Sequence, residues 1–353
     1  MDDLSLDLVE PYDVRVEATW RELEAKAQPS FFLTWGWIEN WLASVPSADA
    51  PKLAIVSRGG APAAAFFVGK KLRVRHRVLP SRSLFLNATG VPQLDELCIE
   101  HNAVLGEPLA LASIMDLLPG DWDELFLPGV AADAFAAPGR DERVRIEKEV
   151  SSPYVDLARV RAAAQGYVSL LGSSTRAQLR RARRTLGSIE LEVAADLDRA
   201  YAIYDELVAL HQASWVARGE PGAFADRWFD AFHRRLIDKR FAHGEIQLVR
   251  VTAGGATVGC LYNLVKNGRV LFYQSGLARS GDPHVKPGYV CHAAAIERAA
   301  GDGHAIYDFL GGEARYKRQL ATDEARLAWL RVQRPRTRFA IEDRVRRWAK
   351  LVA

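Results

Sequence analysis

Apolar and polar positions change their period several times along the chain, and each change marks an element. Helical spacing runs from Trp20 to Ala27 and again from Thr34 to Ser44, with Thr34 placed to cap the second helix. Leu53–Ser57 and Ala61–Val68 read as strands joined by Gly59-Gly60, a hairpin signal. A basic run from Lys70 to Arg77 follows, as a strand or loop with one solvated face. Helix near Leu109–Leu117, strand near Glu124–Leu127 and helix near Val130–Ala137 complete an α/β pattern. The charged segment 138–149, ending at Ser151-Ser152-Pro153, predicts a domain boundary.

The second half is more regular. A helix capped by Ser174 or Thr175 runs to Leu186, and Gly187 suits its C-terminal end. Long helices follow over about 197–218 and 224–241. Ile246–Thr252, Ala256–Val265 and Arg269–Gly276 are β-rich, with Gly254-Gly255 and Asn267-Gly268 between them, so three strands form an antiparallel meander. Helix 289–300, strand 305–310, helix 313–321 and strand 326–332 close the unit.

Length and composition fit two soluble cores: 353 residues, 49% hydrophobic and 26% charged. The expected division is 1–150, 151–335 and a basic amphipathic helix over 336–353. Cys98, Cys260 and Cys291 have no metal or redox spacing and fit a reducing compartment. The acidic N-terminus lacks the apolar core of a signal peptide, and no run is long enough to span a membrane. A cytoplasmic protein is expected, with peripheral contact at a membrane face left open by the basic tail.

The formal charge of +3 hides a balance of −8 over residues 1–150 against +11 over 151–353. An anionic ligand therefore belongs with the second half, the alternative being a merely soluble basic domain. Five arginines fall within Arg176–Arg184, while Leu179, Ala182 and Leu186 form an apolar stripe. Such a fan suits phosphate or sugar-acid groups, and equally suits a solvated face. Ile341, Val345, Trp348 and Val352 recur at helical spacing in the basic tail, which suits docking, an anionic membrane surface or a nucleotide. No Walker loop, G-x-G-x-x-G, zinc spacing or nucleic-acid module is present.

The most informative stretch is Tyr307-Asp308-Phe309-Leu310-Gly311-Gly312-Glu313, followed by Tyr316-Lys317: a short strand, a glycine break and a helix. Upstream, Pro287-Gly288 opens another helix whose free amide groups and positive dipole end suit a pyrophosphate. Together with the order helix–helix–meander–helix–strand–helix–strand, these residues resemble the GNAT superfamily, in its FemAB-like branch. Closest is the acetyltransferase family associated with cellulose and exopolysaccharide biosynthesis. The resemblance covers about 170–332, and the first half shares only a Trp-rich helix and a hairpin, as a degenerate copy would.

That resemblance implies two tandem GNAT-like α/β (α+β) domains with mixed, mostly antiparallel sheets flanked by helices. It implies an acyl-CoA-dependent N-acyltransferase, most simply using acetyl-CoA and no metal, acting on an amine of a sugar or exopolysaccharide precursor. Lys286, Pro287, Gly288 and Tyr289 would hold the donor, although the usual Q/R-x-x-G-x-G/A turn is reduced here to Pro287-Gly288-Tyr289. Tyr316 would protonate the leaving thiolate. Asp308 is the first choice of base, with Glu313 and His284 as others; Glu313 also suits a dipole-favouring cap. Lys317, Arg180, Arg184, His284 and Tyr273 are substrate-binding candidates. Two alternatives stay open: a FemAB-type aminoacyl-tRNA-dependent transferase forming peptide bonds, and a non-catalytic protein responding to a nucleotide or a membrane surface. Partners are thus a small amine or glycan precursor, with no specific nucleic acid expected.

Overall fold

The computed structural model describes residues 4–75, 79–97, 99–134, 144–282, 285–337, 339–342 and 344. The chain divides into two units, Met1–Glu149 with Leu327–Ala353, and Val150–Arg326. Both are α/β, with a mixed, mostly antiparallel sheet and flanking helices, as the resemblance implied.

Unit 1 runs β1 (Leu4–Val9), α1 (Val14–Lys26), α2 (Trp35–Leu42), β2 (Lys52–Arg58), β3 (Ala61–Arg75), β4 (Leu79–Leu86), β5 (Leu105–Gly106), α3 (Leu111–Leu117) and β6 (Glu124–Ala131). Thr34 caps α2 by accepting from the Trp37 amide, and Gly59-Gly60 turns the β2–β3 hairpin, both with positive φ. The sheet order is β1-β2-β3-β4-β6, antiparallel except for the parallel β4–β6 pair.

In unit 2, β7 (Val144–Asp156), which enters the unit at Val150, leads to α4 (Leu157–Ala162), α5 (Ser173–Leu186), β8 (Ile189–Val193), α6 (Leu197–Val216) and α7 (Arg227–Arg240). The meander β9 (Ile246–Ala253), β10 (Ala256–Lys266) and β11 (Arg269–Leu277) follows, then α8 (Pro287–Gly301), β12 (Ile306–Asp308), α9 (Arg315–Leu320) and β13 (Asp323–Gln333). The order is β7-β12-β11-β10-β9-β8, with β11–β12 the parallel pair. The succession strand, two helices, three meander strands, helix, strand is the same in both units: β1 to β6 in the first, β8 to β12 in the second.

Three expectations change. The predicted helix at Val130–Ala137 is not formed at its start: Val130 and Ala131 end β6 and pair with Ala328 and Leu327 of β13. Val130 is fully buried there, so cross-strand pairing and burial override a short helical period; residues 135–137 lie outside the described ones. Strands β1, β4, β7 and β8 were not expected, and the charged half of β7 is largely solvated, which is why it reads as a linker. The stretch from Leu327 onward groups with unit 1, whereas the expected second domain ran to residue 335.

The reason lies in a buried polar network. Glu124, fully buried, accepts from Ser81, Arg75, Arg331 and Gln333. Arg75 also pairs with Glu342 and lies over the Phe339 ring, Arg334 stacks on Trp122, and Arg336 meets Asp123. Buried charge needs such satisfaction, so the described part of the basic tail is held to its own unit. Ile341 is exposed, while Val345, Trp348 and Val352 fall outside the described residues.

One glycine in β11 governs packing in unit 2. A Cβ on Gly276 would stand 2.2 Å from the Leu207 carbonyl oxygen of α6. Backbone on both sides leaves little to give, so Gly276→Ala is expected to cost about 1–3 kcal/mol. Urea denaturation checks it, and an unchanged midpoint would contradict the close approach.

Candidate functional site

The site grows from the way β11 and β12 part. They pair in parallel only at Arg269–Leu271 with Ile306–Asp308, after which β12 ends and β11 continues to Leu277. Among the described residues the continuation of β11 has no β12 partner, which leaves one edge row of backbone groups open. The chain beyond β12 turns away through Leu310, at φ 59°, and Gly312, at φ 142°. A leucine in the left-handed region is strained and must be held by its surroundings.

Asp308 does part of that holding. Its side chain is 1% exposed, on the opposite strand face from Tyr307 and Phe309, as alternation predicts. One carboxylate oxygen accepts from Arg269 at 2.6 Å, and the other from the Leu310 amide at 2.8 Å. Ser152 Oγ lies 3.5 Å from it. Both oxygens are thus engaged by protein, which suits a structural anchor better than the expected base. Lys317 holds the same turn from the other side, its Nζ donating to the carbonyls of Leu310 (3.3 Å) and Gly311 (2.8 Å). Its ammonium is thereby committed to the break.

Glu313 differs from expectation. The short helix α9 starts at Arg315 with Ala314 as N-cap, so Glu313 precedes the first turn instead of capping it. It is solvent-exposed, 3.8 Å from Arg318. The glycines and the strained leucine delay the helix start by two residues.

Tyr316, in the first turn of α9, packs its ring parallel to the His292 imidazole, centroids 5.5 Å apart, and edge-on to Phe309 at 6.3 Å. Its hydroxyl makes no hydrogen bond to the described residues, and burial pushes it up to about 12. It is therefore a protonated phenol throughout the neutral range, which is the state of an acid.

No spacing in the sequence singles out His292. The ring is 1% exposed, with Nδ1 3.0 Å from the Tyr307 hydroxyl and Phe272 edge-on at 4.5 Å. Burial first, and the nearby Lys317 charge second, push the imidazole down to about 3, so it is neutral. The signal available was a face: Phe272, Tyr307, Phe309 and Tyr316 are all aromatic at positions aimed at one side of α8.

The N-terminus of α8 carries the expected donor residues. Lys286 is the N-cap, without a side-chain cap bond, and Pro287 fills the first turn, where its missing N–H is harmless. A Cβ on Gly288 would sit 3.2 Å from Leu277, so this glycine also serves packing against β11. Tyr289 is mostly buried and its hydroxyl donates to Gln319 of α9, tying the two helices together. Lys286 is exposed, its Nζ 5.7 Å from the Tyr289 ring centroid.

Arg180 and Arg184 join this same region. With Arg181, Lys286, Ser174 and Gln178 they line a cleft of about 560 Å³ between α5 and the start of α8. Tyr273 does not: it points to the other sheet face, where it meets Phe229, His233 and Tyr262 between β11 and α7. His284 lies outside the described residues. Among the described residues no group of His, Cys, Asp or Glu is arranged for a metal, and no helix is long and apolar enough to cross a membrane. Cys260 and Cys291 are free and buried.

Residues 173–318 match the family described as Acetyltransferase (GNAT) domain. No curated protein matches the sequence. Among solved structures, FemX is similar at a TM-score of 0.55 and 9% identity, over 88% of this chain and 95% of that one. L-PGS from Bacillus licheniformis gives 0.54 and 10%, over 93% and 94%. A conserved protein of unknown function from Bacteroides thetaiotaomicron VPI-5482 gives 0.54 and 11%, over 95% and 100%. At such identities the likeness is one of fold. The parted strands, the uncapped α8 and the partly buried phenol thus lie within the segment that matches the acetyltransferase (GNAT) family.

Proposed function

We propose that unit 2 is an acyl-CoA-dependent N-acyltransferase, most simply an acetyltransferase, acting on a small amine such as that of an amino sugar or exopolysaccharide precursor. The observation that carries this is the parted parallel pair β11/β12, with an open helix N-terminus on one side and a partly buried, protonated tyrosine on the other. The donor pyrophosphate lies against the amides of Pro287–Tyr289 that can donate, aided by the dipole of α8 and by Lys286. The extended amide arm of the donor runs along the open edge of β11, as a strand adds to a sheet edge.

In the reaction, the amine nitrogen attacks the thioester carbonyl carbon. The tetrahedral intermediate collapses with cleavage of the C–S bond, and Tyr316 gives its phenolic proton to the departing sulfur. The proton lost from the amine passes to water, from which Tyr316 is reprotonated. An amine of α-amino type has a pKa of about 8, so part of it is already neutral and the demand for a strong base is modest. Asp308 acts here as an anchor of the turn before α9, in place of the base role the sequence suggested. Unit 1 has the same order of elements, but the segment between β4 and its seven-residue helix α3 folds back to pair with β3, so it offers no equivalent donor end. We assign it a supporting part.

Isothermal titration with acetyl-CoA and CoA tests the reading. Binding in the micromolar range is expected, and no binding at millimolar ligand would end it. A second reading, an aminoacyl-RNA donor, is favoured by one observation: Arg180, Arg181 and Arg184 are exposed on one helix face. The solved relatives FemX and L-PGS resemble the chain in fold without deciding its donor. Displacement of bound CoA by tRNA, falling steeply with salt, would support that second reading.

A further inference from the structure

The cleft between α5 and the start of α8 is charged beyond what a pyrophosphate on one helix end requires. Its lining contains Arg180, Arg181, Arg184 and Lys286 and no carboxylate. Arg180, Arg184 and Lys286 are exposed and make no ion pair with the described residues, whereas Arg183 on the adjoining helix face is paired with Glu297 at 2.9 Å. Leu179 and Ala182 are fully buried in the core that includes α8, so α5 is fixed and its arginine face is held over the cleft. At about 560 Å³ the space falls within the range of cofactor sites, about 300–1,000 Å³. Ser174 and Gln178 bond to each other at 3.1 Å at its rim and supply polar, uncharged groups.

Two guanidinium groups one helical turn apart, Arg180 and Arg184, present planar donor forks to a single tetrahedral anion. Resting on the acyl-CoA reading above, we propose that α5 forms a phosphomonoester subsite that reads the ribose 3′-phosphate of the donor and so selects CoA thioesters over dephosphorylated analogues. The pyrophosphate lies at Pro287–Tyr289, Lys286 stands between the two anions, and Arg180 with Arg184 clamps the terminal phosphate.

The test compares acetyl-CoA with 3′-dephospho-acetyl-CoA by titration and steady-state kinetics, in the full chain and in Arg180→Ala/Arg184→Ala. Both substituted residues are solvent-exposed, and a thermal melt matching the unsubstituted chain confirms that the variant is folded. The expected result is a preference of about tenfold or more for the 3′-phosphorylated donor, removed in the variant. Equal binding of the two donors by the unsubstituted chain overturns the proposal while leaving acyl transfer intact. So does a variant that keeps the preference. If the variant instead raises only the KM of a phosphorylated acceptor such as glucosamine 6-phosphate, the phosphate read here is the acceptor's, and the proposal is likewise overturned. Failure of either donor to bind removes the acyl-CoA reading itself, a result distinct from all of these.

Discussion

Replacing Tyr316 by phenylalanine is expected to lower kcat by about 100-fold, at the lower end of what a positioned acid contributes, while the KM for acetyl-CoA stays close to its original value. The reasoning rests on how little else the substitution touches. The ring stays stacked on His292 and edge-on to Phe309, because those contacts use its faces and edge. The hydroxyl has no hydrogen bond to the described residues to lose, so no buried partner is left unsatisfied. Thermal stability should therefore hold or rise slightly. The raised pKa, about 12 from burial, keeps the phenol protonated below that value, so a basic limb of the rate profile near neutrality belongs to another group. A variant with unchanged kcat would take Tyr316 out of the mechanism. A variant with lowered melting temperature and raised KM would make it a packing residue.

His292 positions the ring of Tyr316, the proposed acid. A neutral imidazole between Tyr307 and Tyr316 fixes one ring by a hydrogen bond and the other by stacking. Tyr289 adds a second tie from α8 to α9 through Gln319. On the proposed reading, the helix whose N-terminus would meet the donor phosphates also orients Tyr316, so a shift of α8 would be felt at both ends of the donor.

Much of the fold was legible because its signals are local. Asn267-Gly268 supplies two consecutive positive φ values at the β10–β11 turn, and only a few residue types accept them. Pro287-Gly288 opens α8, and the 3.6-residue period of α6 and α7 survives in their buried faces. What was not legible depends on contacts distant in sequence. Arg269 starts β11 and Asp308 ends β12, and only their parallel pairing brings the two charges together. Glu313 looked like a capping residue because the strain at Leu310 and the turn at Gly312, which delay α9, are set by Asp308 and Lys317. Arg180 and Arg184 could be seen as a charged face, but no spacing rule joins them to Lys286. The charged half of β7 resembled a linker because most of its side chains are in water, and its strand character comes from pairing alone.

Asp308→Asn separates the two roles that an interior carboxylate on this strand can have. The substitution keeps the shape and an oxygen for the Leu310 amide, but removes the charge that faces Arg269. Breaking a buried ion pair costs about 3–5 kcal/mol, and the partly exposed Arg269, at 35%, recovers some hydration, so a loss of about 2–4 kcal/mol is expected. For a unit of this size that is a fall in melting temperature on the order of 5–10 °C. Turnover should drop as well, because the loosened turn carries Lys317 and Tyr316 with it, but the acidic limb of the kcat/KM profile should remain where it was. Were Asp308 the base, the opposite pattern would appear: melting temperature nearly kept, turnover reduced by two or more orders of magnitude, and the acidic limb abolished. The pairing of both carboxylate oxygens favours the first pattern, since Arg269 at 2.6 Å and the Leu310 amide at 2.8 Å already occupy them.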